Sequence, residues 1–296
     1  MKHPIFTGSG VAIVTPFNHE SVDFGALSRL LDFQLANGTD AIIVCGTTGE
    51  ASTMTYRERM RTIEFCVDQV VGRVPVIAGS GSNSTEVAIA LSKDAERAGA
   101  DGLLVVTPYY NKANQPGLIR HYQVVADAVD SPVILYNVPS RTGVSIAPES
   151  YAELAKHPNI IGTKEASGNF GNIQRTRNLC PDDFYIWSGN DDETVSICAL
   201  GGKGVISVAA NLVPDKMHRL AELCLNNDFA AAGQLQLELK DLCDTLFCDV
   251  NPIPVKTALN LMGWNAGALR LPLYETSESN LERVRTTLRQ YRLIEN

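Results

Sequence analysis

Apolar and polar positions alternate along this chain in two rhythms. Short apolar, β-branched runs occur at residues 11–14, 41–44, 74–78, 102–106, 133–136, 159–162, 184–187 and 204–208. Between them lie segments whose apolar positions recur every three or four residues. Residues 23–37 carry Leu27, Leu30, Leu31 and Leu35, and residues 55–71 carry Met60, Ile63, Val67 and Val70; segments 84–98, 116–129 and 148–156 behave alike. Alternation of this kind predicts parallel strands joined by right-handed helical crossovers. The runs are nearly continuous in apolar residues, as strands covered on both faces require.

Two architectures accommodate eight such strands. An open doubly wound sheet calls for a glycine-rich phosphate loop after an early strand. "GSGVAI" and "GSGSNS" lack the third glycine of that motif, and "GGKGVI" has no Ser or Thr after Gly-Lys. The closed alternative is favoured: an α/β fold, a (β/α)8 TIM barrel with a C-terminal helical extension. A helix over 214–225 completes the barrel, which occupies residues 1–227. Residues 228–296 read as a helical bundle, with helices over 229–247, 254–262 and 278–293.

In a barrel the chemistry gathers where the strands' C-terminal ends meet. Those positions hold Gly46-Thr47-Thr48-Gly49-Glu50, Thr107-Pro108-Tyr109-Tyr110-Asn111, Tyr136-Asn137 followed by Arg141, Lys164-Glu165, Ser188-Gly189-Asn190-Asp191, and Ile206-Ser207. A lysine on a solvated face is ordinary, but Lys164 follows Ile160, Ile161 and Gly162. Burial lowers an amine's pKa, and a free amine at neutral pH attacks a ketone to form a Schiff base. The plainer reading pairs Lys164 with Glu165 or lets its ammonium reach water. Tyr136 and Tyr110 are poor bases alone, since a free phenol titrates near 10; with Thr47 they could form a proton relay, or be wall residues. Arg141 carries a planar fork suited to a carboxylate, or is a surface arginine.

Composition narrows the field further. The 296 residues are 45% apolar and 20% charged, with a net charge of −8 that argues against nucleic acid as a partner. The seven cysteines form no CxxC pair, which fits reduced thiols used as apolar filler. His3, His19, His121, His157 and His218 show no zinc spacing, so no metal is expected. No apolar run reaches membrane-spanning length and "MKHPIFTGSG" lacks the apolar run of a signal peptide; the expected compartment is the cytoplasm.

The segments "GTTGE", "TPYYNK", "YNVPSRTG", "GTKEASGN", "SGND" and "GVISV", in that order, resemble those of the dihydrodipicolinate synthase family, among the pyruvate-dependent class I aldolases. The resemblance runs from "GSGVAIVTPF" to "NPIPVKTALN" and "LRLPL". It implies a lyase that condenses pyruvate with L-aspartate 4-semialdehyde without a cofactor and assembles as a homotetramer, a dimer of dimers. It also implies residue roles. Lys164 would form the Schiff base. Tyr136, Thr47 and Tyr110 would relay protons, with Tyr110 or its neighbour Tyr109 reaching across a subunit contact. Thr48 and the backbone of Ile206 would hold pyruvate, Arg141 the semialdehyde carboxylate, and Gly189 would line the pocket. Members inhibited by lysine often carry two histidines where this chain has Tyr56 and Arg59, and a carboxylate where it has Val87, so weak or absent inhibition is expected. A sialic-acid or sugar-acid aldolase and a keto-acid-binding regulator are the alternatives.

Overall fold

The computed structural model describes residues 1–18 and 21–295, so His19 lies outside the described residues. The apolar runs become β1 (Gly8–Ala12), β2 (Ala41–Val44), β3 (Val76–Gly79), β4 (Gly102–Val106), β5 (Val133–Asn137), β6 (Ile160–Glu165), β7 (Tyr185–Ser188) and β8 (Gly204–Ser207). Each strand pairs in parallel with the next, and β8 returns to β1 to close the barrel. The expected fold class is therefore the observed one.

Several strand boundaries differ from the sequence reading by one or more residues, and two of them bear on the barrel interior and the site. The first strand starts at Gly8, three residues before the apolar run, because Gly8-Ser9-Gly10 carries no apolar signal although all three residues are buried. The sixth continues through Thr163, Lys164 and Glu165, so Lys164 lies within the strand.

The helices that cover the barrel are α1 (Phe24–Ala36), α2 (Tyr56–Val70), α3 (Thr85–Arg97), α4 (Gln115–Asp127), the single turn α5 (Pro139–Thr142), α6 (Pro148–Leu154), α7 (Phe170–Leu179), α8 (Thr194–Ala199) and α9 (Pro214–Leu225). Asp23 caps α1, and Thr55 with Glu58 forms a capping box on α2. The periodicity passes over α7 and α8. The first buries only Ile173 and Thr176, and the second is six residues long. Beyond the barrel come α10 (Phe229–Glu238), α11 (Lys240–Leu246), α12 (Ile253–Leu261) and α13 (Glu278–Gln290). The helix expected over 229–247 is thus two, divided at Leu239, with helical hydrogen bonds continuing on both sides of the break. α10 packs on α8 and α9, while α11 and α12 pack on α13.

One apolar layer fills the space between the strands and the helices; a second fills the barrel itself. Inside, Phe6 stacks on Trp187 with ring centroids 5.3 Å apart. Gly162 makes room for that pair: a Cβ there would sit 3.0 Å from the Trp187 ring and 2.1 Å from the Tyr185 carbonyl oxygen. Among the described residues no helix is long and apolar enough to cross a membrane.

Candidate active site

Strand register sets the centre of the site. Tyr136 on β5 lies opposite Lys164 on β6, which lies opposite Trp187 on β7. Side chains alternate along a strand, so Lys164 points inward and its neighbour Glu165 points away. The Lys164 ammonium nitrogen sits 4.4 Å from the centre of the Tyr136 ring, and the residue is only 5% exposed. Glu165 instead accepts hydrogen bonds from Asn137 Nδ2 at 3.1 and 3.2 Å, Tyr151 Oη at 3.1 Å and the Ser167 amide at 2.8 Å. The plain reading of Lys164 as the ion-pair partner of Glu165 does not hold, because consecutive strand residues face opposite sides.

Burial dominates the electrostatics. It lowers the Lys164 pKa from 10.5 to about 8; the Asp191 carboxylate opposes the drop and the Arg141 guanidinium adds to it. A lysine in that state supplies free amine near neutral pH. Tyr136 moves the other way, raised by burial, while Arg141 and a hydrogen bond with Thr47 pull it back. It therefore stays a neutral hydroxyl that can give a proton and recover it. Asp191 is 2% exposed, and its Oδ2 accepts from the amides of Val208 and Ala209 at 3.1 and 2.9 Å. Its burial raises its pKa, against the hydrogen bonds of Ser207 and those amides and the charge of Lys164.

The turn after β2 is held in a strained form. Cys45 and Glu50 bracket it with φ of 53° and 52°, left-handed values that cost a non-glycine residue about 1–3 kcal/mol each. Thr15 Oγ1 donates to the Gly49 carbonyl at 2.7 Å, and Glu50 Oε1 accepts from Lys256 Nζ at 2.8 Å. This leaves Thr47 exposed and Thr48 buried. Thr48 Oγ1 accepts from Asn251 Nδ2 at 3.0 Å, and Arg141 Nη2 donates to the Asn251 carbonyl at 3.2 Å. Above the turn opens a cavity of about 310 Å³, whose wall includes Thr47, Tyr109, Tyr136, Arg141, Asn251 and Arg59. The arrangement places a hydroxyl pair and a guanidinium on the wall of one basin, with the Lys164 amine against the ring of Tyr136. Among the described residues no three His, Cys, Asp or Glu side chains converge to hold a metal.

The sequence matches the dihydrodipicolinate synthetase family over residues 5–291. The chain belongs to that family. It is 53% identical over 292 residues to the 4-hydroxy-tetrahydrodipicolinate synthase of Thermoanaerobacter sp. (strain X514), covering 98% of each chain. It is 55% identical over 289 residues to the enzyme of that name from Caldicellulosiruptor saccharolyticus, covering 97% of this chain and 98% of the other. The crystal structure of dihydrodipicolinate synthase from Aquifex aeolicus superposes with a TM-score of 0.96 at 45% identity, over 98% of this chain and all of that one.

For a member of the dihydrodipicolinate synthetase family, most of the expected residues converge. Gly189 abuts the lysine: a Cβ there would lie 3.1 Å from Lys164 Cε and 2.7 Å from Ala166 Cβ. Ile206 is fully buried on β8, opposite Gly10 of β1. Tyr110 does not converge. It is 88% exposed, with φ of 74°, while Tyr109 beside it reaches the cavity wall. Asn251, Lys256 and Asp191 went unassigned in the sequence reading. "SGND" contains Asp191, but nothing local shows that its carboxylate is buried near the lysine. "NPIPVK" reads only as a break between two helices.

Proposed function

We infer that this chain condenses pyruvate with L-aspartate 4-semialdehyde to 4-hydroxy-tetrahydrodipicolinate, in lysine and diaminopimelate biosynthesis. It is a Schiff-base lyase, and the observation that carries the mechanism is the buried Lys164 amine over Tyr136. The free amine attacks the ketone carbon of pyruvate to give a carbinolamine. Loss of water, with a proton supplied through Tyr136 and Thr47, leaves a cationic iminium. The adjacent methyl group then loses a proton and becomes an enamine, whose carbon attacks the aldehyde of the second substrate. That aldehyde oxygen takes a proton and becomes the 4-hydroxyl. The amine of the semialdehyde attacks the iminium carbon, closes the ring and releases Lys164 unchanged. One water leaves per turnover.

Thr48 and the Ile206 backbone serve the pyruvate carboxylate, Gly189 keeps the wall open, and Arg141 serves the carboxylate of the semialdehyde. Arg141→Ala should raise the KM for the semialdehyde at least about tenfold, as loss of a charge-assisted hydrogen bond does. Borohydride trapping of pyruvate on Lys164 should remain intact. Steady-state kinetics with both substrates, beside mass mapping of the trapped adduct, checks both points. Turnover of a sialic acid or sugar acid in place of the semialdehyde would move the reading to the aldolases of that class. No trapped adduct at Lys164 would favour a keto-acid-binding regulator.

Tyr110 serves the relay of a neighbouring subunit in this reading, within a cytoplasmic homotetramer. Its exposure, with that of Tyr109 beside it, supports the idea of a covering partner. Lysine should inhibit weakly or not at all. Arg59 lies against the cavity with Nη2 donating to the Gly79 carbonyl at 2.8 Å, and a fixed guanidinium repels a cationic side chain. Half-inhibition of turnover by submillimolar lysine would overturn this expectation.

A further inference from the structure

Asn251 belongs to the chain between α11 and α12, outside the barrel, yet it touches both groups that receive a substrate carboxylate. Its side chain bonds Thr48, its main-chain carbonyl bonds Arg141, and it forms part of the cavity wall. The residue is 5% exposed, and its Oδ1 is buried without a hydrogen-bond partner. A buried amide left half-bonded is a cost to folding, so stability alone does not account for asparagine here.

We propose that Asn251 is a positioning residue that sets both carboxylate subsites, fixing the direction of the Thr48 hydroxyl and the placement of the Arg141 guanidinium. This rests on the reaction given above. A threonine hydroxyl has one proton and two lone pairs. With Asn251 Nδ2 donating to Thr48 Oγ1, a lone pair is used and the proton stays free to be donated to an anion. The reversed arrangement, with an acceptor in place of Nδ2, would draw the Thr48 proton away from pyruvate and aim a lone pair at its carboxylate. The Asn251 carbonyl acts on the second subsite. Arg141 is an exposed residue on a single helical turn, and holding so long a side chain in one place costs rotamer freedom. A main-chain acceptor at 3.2 Å holds one arm of its fork and leaves the others for the semialdehyde carboxylate. A single residue of the C-terminal extension thereby couples the orientation of the two groups.

The test uses Asn251→Ala, Asn251→Asp and Thr48→Val in the full-length enzyme, with KM and kcat for both substrates, the pyruvate dependence of borohydride trapping, and Tm. Asn251→Ala should raise the KM for pyruvate roughly three- to tenfold, as loss of one hydrogen bond does, with kcat within about twofold. Asn251→Asp should raise the pyruvate KM further than Asn251→Ala, since it reverses the Thr48 hydroxyl instead of merely freeing it. Adding Asn251→Ala to Thr48→Val should raise the pyruvate KM no further, because the coupled partner is already gone. Half-saturation of trapping should shift with the pyruvate KM. The KM for the semialdehyde should stay near wild type in Asn251→Ala, because the main-chain carbonyl that holds Arg141 remains. The proposal is overturned if the pyruvate KM stays at wild-type level, if the two substitutions multiply independently, or if only Tm and kcat fall. The reaction itself is judged separately: wild-type enzyme that fails to trap pyruvate on Lys164 would refute the reading beneath, whereas trapping with indifferent Asn251 variants refutes this proposal alone.

Discussion

Replacing Lys164 by Met should abolish turnover and, at neutral pH, leave a more stable protein. The loss of activity is expected to be on the order of 10⁴-fold or more, because no other group at this position can form the iminium. The stability gain follows from the depressed pKa. Burial brings the native value to about 8, against 10.5 for an unperturbed lysine. Below the native value both the folded and the unfolded chain hold the proton, so the whole penalty of burying the charge is present. It fades as pH rises between about 8 and 10.5, where the unfolded chain binds more protons than the folded one. Methionine has comparable length and no charge, and should remove up to about 3 kcal/mol of that penalty. Denaturant unfolding at pH 7 and at pH 10.5 checks this: the variant should lead at the lower pH and lose its lead at the higher. The same pKa predicts that kcat/KM for pyruvate falls about tenfold per pH unit well below 8. A variant less stable than wild type at pH 7, or a rate flat from pH 6 to 9, would show that Lys164 is not the buried free amine described.

Lys256→Met should have the largest effect on folding. Lys256 and Glu50 form an ion pair at 2.8 Å with side chains 1% and 0% exposed. The ammonium also donates to the carbonyls of Thr15 at 3.1 Å and Ala268 at 2.8 Å, and lies 4.5 Å from the centre of the Phe17 ring. Removing it strands the Glu50 carboxylate in the interior, which costs roughly 3–5 kcal/mol. Glu50 also takes the Arg270 amide on its second oxygen, so it ties the turn that carries Thr47 and Thr48 to the C-terminal extension. The variant should therefore lose affinity for pyruvate as well as stability. Lys256→Met combined with Glu50→Gln should recover part of the loss, because the second change removes the stranded charge. Thermal unfolding of the two single variants and the double one reads the coupling. A single variant that melts with wild type would mean the pair is not a structural tie.

The barrel was legible because both faces of every strand are covered, which writes each strand as an apolar run that survives in a one-dimensional reading. Where an inward position is filled by something other than an aliphatic side chain, the signal breaks. β1 begins unseen because Gly8, Ser9 and Gly10 form it. β6 reaches past its apolar run because inward and outward places there go to Lys164 and Glu165. Alternation within that strand removes the pairing of Lys164 with Glu165, once its true end is known.

By itself the sequence determined the order of the eight strands, the closed parallel barrel, the family, and the short motifs at the strand ends, all of which are written in runs of a few neighbouring residues. Only the tertiary structure decided that Lys164 faces Tyr136 and turns from Glu165, that Tyr110 leaves its own cavity while Tyr109 lines it, and that Asn251 and Lys256 reach back some two hundred positions to Thr48 and Glu50. Contacts of that span depend on how the C-terminal helices dock across the barrel mouth, and docking leaves no periodic trace in the chain that carries it.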